Sequence, residues 1–561
     1  KVLRELVDEP IVEHTQLEPS AAEINALLGT QAYEAEPILE TSDTQKIPKF
    51  PEFLSPYSRG EVGGVYYNPP PKVDKKGNKE YQDPVEILAH VLFPVRRLFS
   101  PLDGECMTMN LILPNDGLKE FLLPMKSVYA LEELKKTLSF HQVIYTPKHI
   151  NNIQDYLVKW SQYMINIGKA QQMRMQLGWS AVKNTPEWDN RSFVIGENEI
   201  TFERETVEAP VSPYIKGVVK HFKAVGTYER WQESANELNR PGFELHAMTC
   251  LAGMATILMP YMTTPGVVIS LLGGTGCAKT GAMYAGLSMF GHPKNLSVVE
   301  GTDNGFTGRY LGLHSLMFGL DEVGDKEGKE LGKLIHNVSH GKAKIRMQAS
   351  VNAEREYEMS ASLIAMLTSS HGIYSILENA KMDPNGEAAR LIEFIVKRPE
   401  LLNNNSALAK HIFDAFRFNY GHAGPMFIKE ILKRPDQYVL DHIDSWEQKF
   451  KHDFGDFVEY RFYQNLVGAN MGAATIANEN GITDFALQQT YEAVVTDMIN
   501  IREKVLRVNK SDYPSLLADF INKNMANILV IKDGKVTMEP RGPIVARIVS
   551  DESLVQVSKA E

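Results

Sequence analysis

Apolar positions along the chain change period several times, and each change marks an element. Residues 1–47 hold only short apolar pairs among Pro, Thr and Glu, which predicts a polar tail or linker with little structure of its own. From Pro48 to Lys79 there is no helical period, and the prolines at 69–71 with the Lys- and Asp-rich run after them predict an exposed loop behind a short strand at Gly64–Tyr67. Between Val85 and Tyr145 the runs VEILAHVLFPVRRLF, MTMNLILP and FLLPM are separated by Asp-Gly and Asn-Asp-Gly turns, with a helical stretch at 129–138. A small α+β domain over 48–147 is therefore expected. Lys148–Met175 has helical spacing, Gly178-Trp179 and Arg191–Gly196 read as a turn and short strands, and Tyr228–Pro260 returns to helix. This predicts a helix-rich collar over 148–262.

Val267–Leu272 is a continuous apolar run, and Leu316–Leu320 and Ser362–Leu367 repeat the pattern of a buried strand, so 263–400 reads as an α/β core, a parallel sheet with flanking helices. Beyond 400, the stretches SALAKHIFDAFRFNYGHAGPMFIKEIL and FVEYRFYQNLVGANMGAATIANENGI, with a break at Gly421–Pro425, predict a helical lid or C-terminal domain over 401–505. Residues 506–561 pass from helix to a hairpin with Asp533-Gly534 at its tip.

Chemistry concentrates where the apolar strand at Val267 meets Gly273, Gly274, Thr275, Gly276, Cys277, Ala278, Lys279 and Thr280, after which Gly281–Phe290 can continue as a helix. Strand, glycine-rich turn and helix in that order form the context of a phosphate-binding loop. The glycines let main-chain N–H groups turn onto a polyphosphate, Lys279 reaches the β and γ phosphates, and Thr280 is placed to hold Mg²⁺. ATP and Mg²⁺ are the ligands this pattern takes. Ala278 stands where the common pattern has glycine, and its Cβ narrows the backbone choices. The strand Leu316–Leu320 ends in Asp321-Glu322, where the aspartate can hold the metal and the glutamate can polarise an attacking water.

Composition changes this picture little. The net charge of −11 argues against a surface coated with nucleic acid, so any such contact has to be local. Cys106, Cys250 and Cys277 form no CxxC pair and indicate neither a zinc site nor a disulfide framework. Gly242–Met262 is the most apolar long run, but Glu244, His246 and Pro260 suit a buried helix better than a membrane span. No leader pattern is visible, the opening lysine leaves room for a longer protein upstream, and a cytoplasmic location is expected. Arg96 and Arg97 read as a solvated or ion-paired strand edge.

The succession Gly178-Trp179, FVIG at 193–196, Trp231, GGTGCAKT, Thr302-Asp-Asn-Gly305, LDE at 320–322 and Gly341-Lys-Ala-Lys-Ile-Arg346 resembles the domain of unknown function 927 over about residues 85–480. That family includes phage and plasmid helicase or primase-helicase proteins and looks related to superfamily 3 and AAA+ hexameric helicases. The Ala-Lys-Thr ending likewise resembles AAA+ ATPases such as the MCM helicases. The resemblance implies an AAA+-like P-loop core. It also implies a sensor hydroxyl at Thr368 or Ser369, an arginine finger at Arg390 with Arg346 and Arg355 as rivals, and Arg461 as a candidate for a second sensor. Thr302, Asp303 and Asn304 either sit beside the γ-phosphate or close a turn. Between Asp321-Glu322 and the strand Ser362–Leu367, His340, Lys342, Lys344 and Arg346 alternate before Glu354, Glu356 and Glu358. In such rings an insertion here forms a channel hairpin, and cations at period 2 could track phosphates. The alternative is a solvated, ion-paired hairpin.

The expected function is a ring-shaped helicase, a homo-oligomer with a hexamer expected, that hydrolyses ATP while moving on single-stranded DNA in phage or plasmid replication. A primase or polymerase domain upstream in the same polypeptide is the further partner this reading expects. The competing readings are an AAA+ switch or loader without processive unwinding, and a structural oligomer whose nucleotide only stabilises assembly.

Overall fold

The computed structural model describes residues 50–60, 63–342, 347–348, 353–354, 359–380, 389–403, 405–549 and 554–557. The tail expected over 1–47, and Lys344, Arg346, Arg355, Glu356 and Glu358, lie outside the described residues.

Three antiparallel strands, Val91–Ser100, Gly104–Leu113 and Gly117–Pro124, form a meander in the N-terminal region. Its two turns place Gly104 and Gly117 at positive φ, which the Asp-Gly and Asn-Asp-Gly sequences supply. Helix Ile150–Ile167 packs Ile153, Tyr156, Leu157 and Trp160 into the same core as these strands. It stops at Gly168, short of the expected Met175, because Gln171–Gln172 join the sheet beside Leu98 and Phe99. The N-terminal core thus extends past the expected boundary at 147. Arg96 pairs with Glu120 and Glu208, and Arg97 with Glu105.

A second, larger core runs without interruption from Leu177 to Ile501, so the expected divisions at 262 and 400 do not separate independent cores. Its centre is a parallel four-stranded sheet in the order Phe318–Leu320, Leu363–Ser369, Gly266–Leu272, Leu391–Ile395. A single bridge from Val298 to Leu320 extends it by one position. Helix Glu244–Leu258 is buried on nearly every face. Its Gly253 allows close approach to the helix that follows the glycine-rich loop, since a Cβ there would lie 2.3 Å from the Gly286 carbonyl oxygen. Among the described residues no helix is long and apolar enough to cross a membrane.

The collar carries a four-stranded antiparallel sheet, Gly178–Trp179, Phe193–Ile195, Asn198–Ile200 and Thr206–Glu208, ahead of its helices. After the core come helices Ser406–Phe418, Ala423–Lys433, Asp436–Phe454 and Arg461–Glu479. Helix Leu487–Asn524 is continuous over 38 residues and crosses the expected boundary at 505. The hairpin Ile528–Lys532 to Lys535–Met538 turns at Asp533 and Gly534, both at positive φ, and joins two further strands in one sheet.

Candidate nucleotide site

All four parallel strands point their C-terminal ends the same way, and the candidate residues gather at that end. Strand Gly266–Leu272 delivers the loop, and helix Lys279–Leu287 starts at Lys279, so its first N–H groups lack intrahelical partners there. Gly274, Thr275 and Gly276 form an exposed crown, while Gly273, Cys277, Ala278, Lys279 and Thr280 are half-buried. Gly276 has φ +86, and Ala278 is left-handed at φ 60, ψ 27, a conformation that costs a residue with a Cβ about 1–2 kcal/mol. The Lys279 ammonium folds over the loop and donates to the Gly273 and Gly274 carbonyls at 2.5 and 3.1 Å.

The two strands on the far side of the loop strand bring the acidic pair to it. Thr280 Oγ1 donates to Asp321 Oδ1 at 3.0 Å, across a separation of 41 residues. The buried Thr368 hydroxyl donates to the same carboxylate oxygen and accepts from the Glu322 N–H at 3.0 Å. Glu322 is exposed and left-handed at φ 56, ψ 56. Non-glycine residues hold such a conformation where the surroundings over-determine it, and the Thr368 hydrogen bond is one such constraint. Ser369 directs its hydroxyl to the His371 carbonyl at 2.5 Å and accepts from the His371 N–H, closing its own turn. Thr368 rather than Ser369 therefore touches the acidic pair. A hydroxyl oxygen and a carboxylate oxygen 3.0 Å apart are the hard donors that magnesium takes, and Thr280 and Asp321 fit that ion.

Two buried titratable groups support this end of the sheet. His246, on the apolar helix Glu244–Leu258, faces the Cys277 carbonyl through Nε2 at 2.9 Å, and burial lowers its pKa, so it is neutral and Nε2–H donates. Glu393 sits in the sheet beside Ser270 and accepts from the Ile373 N–H at 2.6 Å; burial raises its pKa. His246 was missed in the sequence, although a lone imidazole in an apolar helix is a legible signal. A third side chain, Arg398, reaches the loop crown from just beyond strand Leu391–Ile395.

The remaining candidates lie elsewhere. Thr302 caps helix Asp303–Leu313 by accepting from Gly305 N, and Asp303 pairs with Lys333, so that segment closes a helix start. Arg390 immediately precedes Leu391, which registers with Val268, and so stands at the opposite sheet edge from the loop. Arg461 heads its helix, exposed, with its guanidinium 5.1 Å from the Phe462 ring centroid.

Between helix Gly328–His340 and strand Leu363–Ser369 the chain makes an antiparallel excursion: Lys342 bridges Ser360, and Met347–Gln348 pair with Ala353–Glu354. Lys342 is exposed, and His340 stacks on His336 with centroids 4.0 Å apart. The excursion leaves the sheet at the edge opposite the glycine-rich loop.

These features define an α/β protein with a parallel sheet whose C-terminal edge carries a lysine, two hydroxyls and an acidic pair. A family model described as Domain of unknown function (DUF927) matches residues 139–358. No curated protein matches the chain. The chain is similar to a solved structure titled "SCCmec type IV Cch - active helicase", at 14% identity and a TM-score of 0.58, with 89% of this chain and 87% of that chain covered. This likeness establishes a shared fold. A looser likeness, to "The A form apo structure of NrS-1 C terminal region-CTR", has 12% identity and a TM-score of 0.26 over 70% of this chain and 88% of that chain, too low to define a fold.

Proposed function

We propose that this chain is an ATP-hydrolysing helicase motor of the superfamily 3 and AAA+ kind, which works as a homo-oligomeric ring, a hexamer, on single-stranded DNA. The observation that carries this reading is the convergence of Thr280, Asp321, Glu322 and Thr368 beside the Lys279 loop. In the proposed reaction Lys279 holds the β and γ phosphates, Glu322 orients the attacking water, and Thr368 fixes the turn that carries Asp321 and Glu322. Magnesium, held by Thr280 and Asp321, would neutralise charge on the transferred phosphoryl group. Arg390, standing away from its own loop, is assigned to the neighbouring subunit's nucleotide as the finger in trans.

For the DNA contact we assign the excursion after helix Gly328–His340, with His340, Lys342, Lys344 and Arg346 as the residues that meet phosphate. Its separation from the loop, at opposite sheet edges, supports a motor whose track and fuel sites are distinct. The setting we assign is phage or plasmid replication in a host cytoplasm, with a priming or polymerase domain upstream.

Electron microscopy with an ATP analogue and single-stranded DNA, together with unwinding of a forked duplex, tests the reading. Six-fold rings and ATP-dependent unwinding are expected, and Lys342→Ala with Lys344→Ala should abolish unwinding while basal ATPase survives. Monomers in every condition would contradict the ring, and unchanged unwinding in the double variant would remove the excursion from the DNA path.

A further inference from the structure

Beyond strand Leu391–Ile395 the chain does not leave the sheet but continues alongside the nucleotide loop. Val396 N donates to the Leu272 carbonyl at 2.7 Å, and the Val396 carbonyl lies so near Gly273 that a Cβ there would sit 2.6 Å from it. Two residues on, Arg398 extends over the crown: a Cβ on Gly276 would be 3.2 Å from Nη1 and 3.9 Å from Cζ. Gly273 and Gly276 are thus constrained from outside the loop as well as by its own turn.

Among the described residues the guanidinium is held from one side only. Nη2 donates to the Leu402 carbonyl at 2.8 Å, at the end of the short turn Glu400–Leu402 that follows buried Pro399. Among the described residues no carboxylate lies within ion-pair distance of Arg398. Its charge is exposed, held by a main-chain acceptor, and presented at a loop whose other cation, Lys279, lies over the Gly273 and Gly274 carbonyls. A planar fork anchored through one nitrogen keeps further N–H donors for an anion.

We propose that Arg398 is a second cation for the nucleotide polyphosphate, supplied by the same subunit from the strand next to the loop strand. This rests on the nucleotide-site reading above and adds a residue to it. A triphosphate in the loop lies between Lys279 and Arg398, and the Leu402 carbonyl positions the guanidinium before the nucleotide arrives. The role differs from that assigned to Arg390, which stands at the other end of the same strand and serves the neighbour.

Binding of ATP and AMP to the full chain, by competition with a fluorescent ATP analogue, tests this with Arg398→Ala, Arg398→Gln, Arg398→Lys and Lys279→Ala. Losing a charge-assisted contact should weaken ATP about 10- to 100-fold in Arg398→Ala and Arg398→Gln. AMP should change by less than about 2-fold, and Arg398→Lys should recover part of the loss, because it restores the charge without the planar fork. Nucleotide-free melting temperatures should match the parent. If Lys279→Ala loses ATP while both Arg398→Ala and Arg398→Gln keep it, the Arg398 proposal fails and the nucleotide site stands. Equal weakening of ATP and AMP would overturn it too, since the guanidinium would then shape the loop rather than meet phosphate. A parent chain that binds no ATP removes both.

Discussion

Replacing Thr368 by valine keeps the shape of a fully buried side chain and removes one hydroxyl that serves two partners. That hydroxyl donates to Asp321 Oδ1 and accepts from the Glu322 N–H at 3.0 Å. A hydrogen bond to a charged acceptor contributes about 1.5–3 kcal/mol, and stranding a half-buried N–H costs about 1–3 kcal/mol. With partial relaxation, a local penalty of about 3 kcal/mol falls on the turn that holds Glu322 in a left-handed conformation. If Glu322 must occupy that geometry to orient water, a penalty of this size lowers its working population about 100-fold. The expected result is a kcat reduced about 100-fold in Thr368→Val with ATP affinity nearly unchanged, because Lys279 and the loop are untouched. Thr368→Ser keeps the hydroxyl and loses one methyl, about 0.8 kcal/mol of burial, and should stay within about 5-fold of the parent. Steady-state ATPase assays on folded protein, with binding measured separately, decide the matter. A Thr368→Val protein that hydrolyses ATP at the parent rate would refute the argument that this hydroxyl positions the acidic pair.

Two further outcomes follow from the same geometry. Ala278→Gly relieves a left-handed alanine worth about 1–2 kcal/mol while loosening the unfolded chain by about 0.5–1 kcal/mol, so thermal melting should hold or rise; a fall would show that the backbone does not strain there. His246 and His314 are buried neutral, His314 with Nδ1 2.8 Å from the Ser360 carbonyl, and burial sets both folded pKa values below the ordinary 6.5. For groups so depressed the unfolded chain binds protons first on acidification, so the stability they contribute is complete above about pH 6.5 and is lost as pH falls below it. Melting temperature should therefore drop between pH 7 and 5.5, and His246→Gln, which keeps a donor for Cys277, should flatten that slope; an unchanged slope would contradict the assignment.

The glycine-rich turn between strand and helix and the strand-end acidic pair were legible in the sequence because each is a local pattern, glycines before Lys279 and an apolar run ending in Asp321-Glu322. The choice between Thr368 and Ser369 was not, because it depends on contacts across the sheet, Thr368 meeting Asp321 from 47 residues away while Ser369 closes its own turn. Arg398 gave no local signal: its value comes from the direction the chain takes after Val396. The hairpin at Asp533-Gly534 and the meander turns were readable because positive φ demands particular residues. Helix limits were less so. Periodicity alone could not end Lys148–Met175 at Gly168, since the following residues turn away to join a distant strand. Nor could it foresee that collar, sheet and C-terminal helices share one core, which arises from packing such as Gly253 against Gly286.

The central claim, that this site hydrolyses ATP with Glu322 orienting the water, is tested most directly by Glu322→Gln. Single-turnover hydrolysis should slow by orders of magnitude while ATP binding stays near the parent value, because the side chain keeps its shape and loses its carboxylate. Hydrolysis at the parent rate in Glu322→Gln would contradict the account.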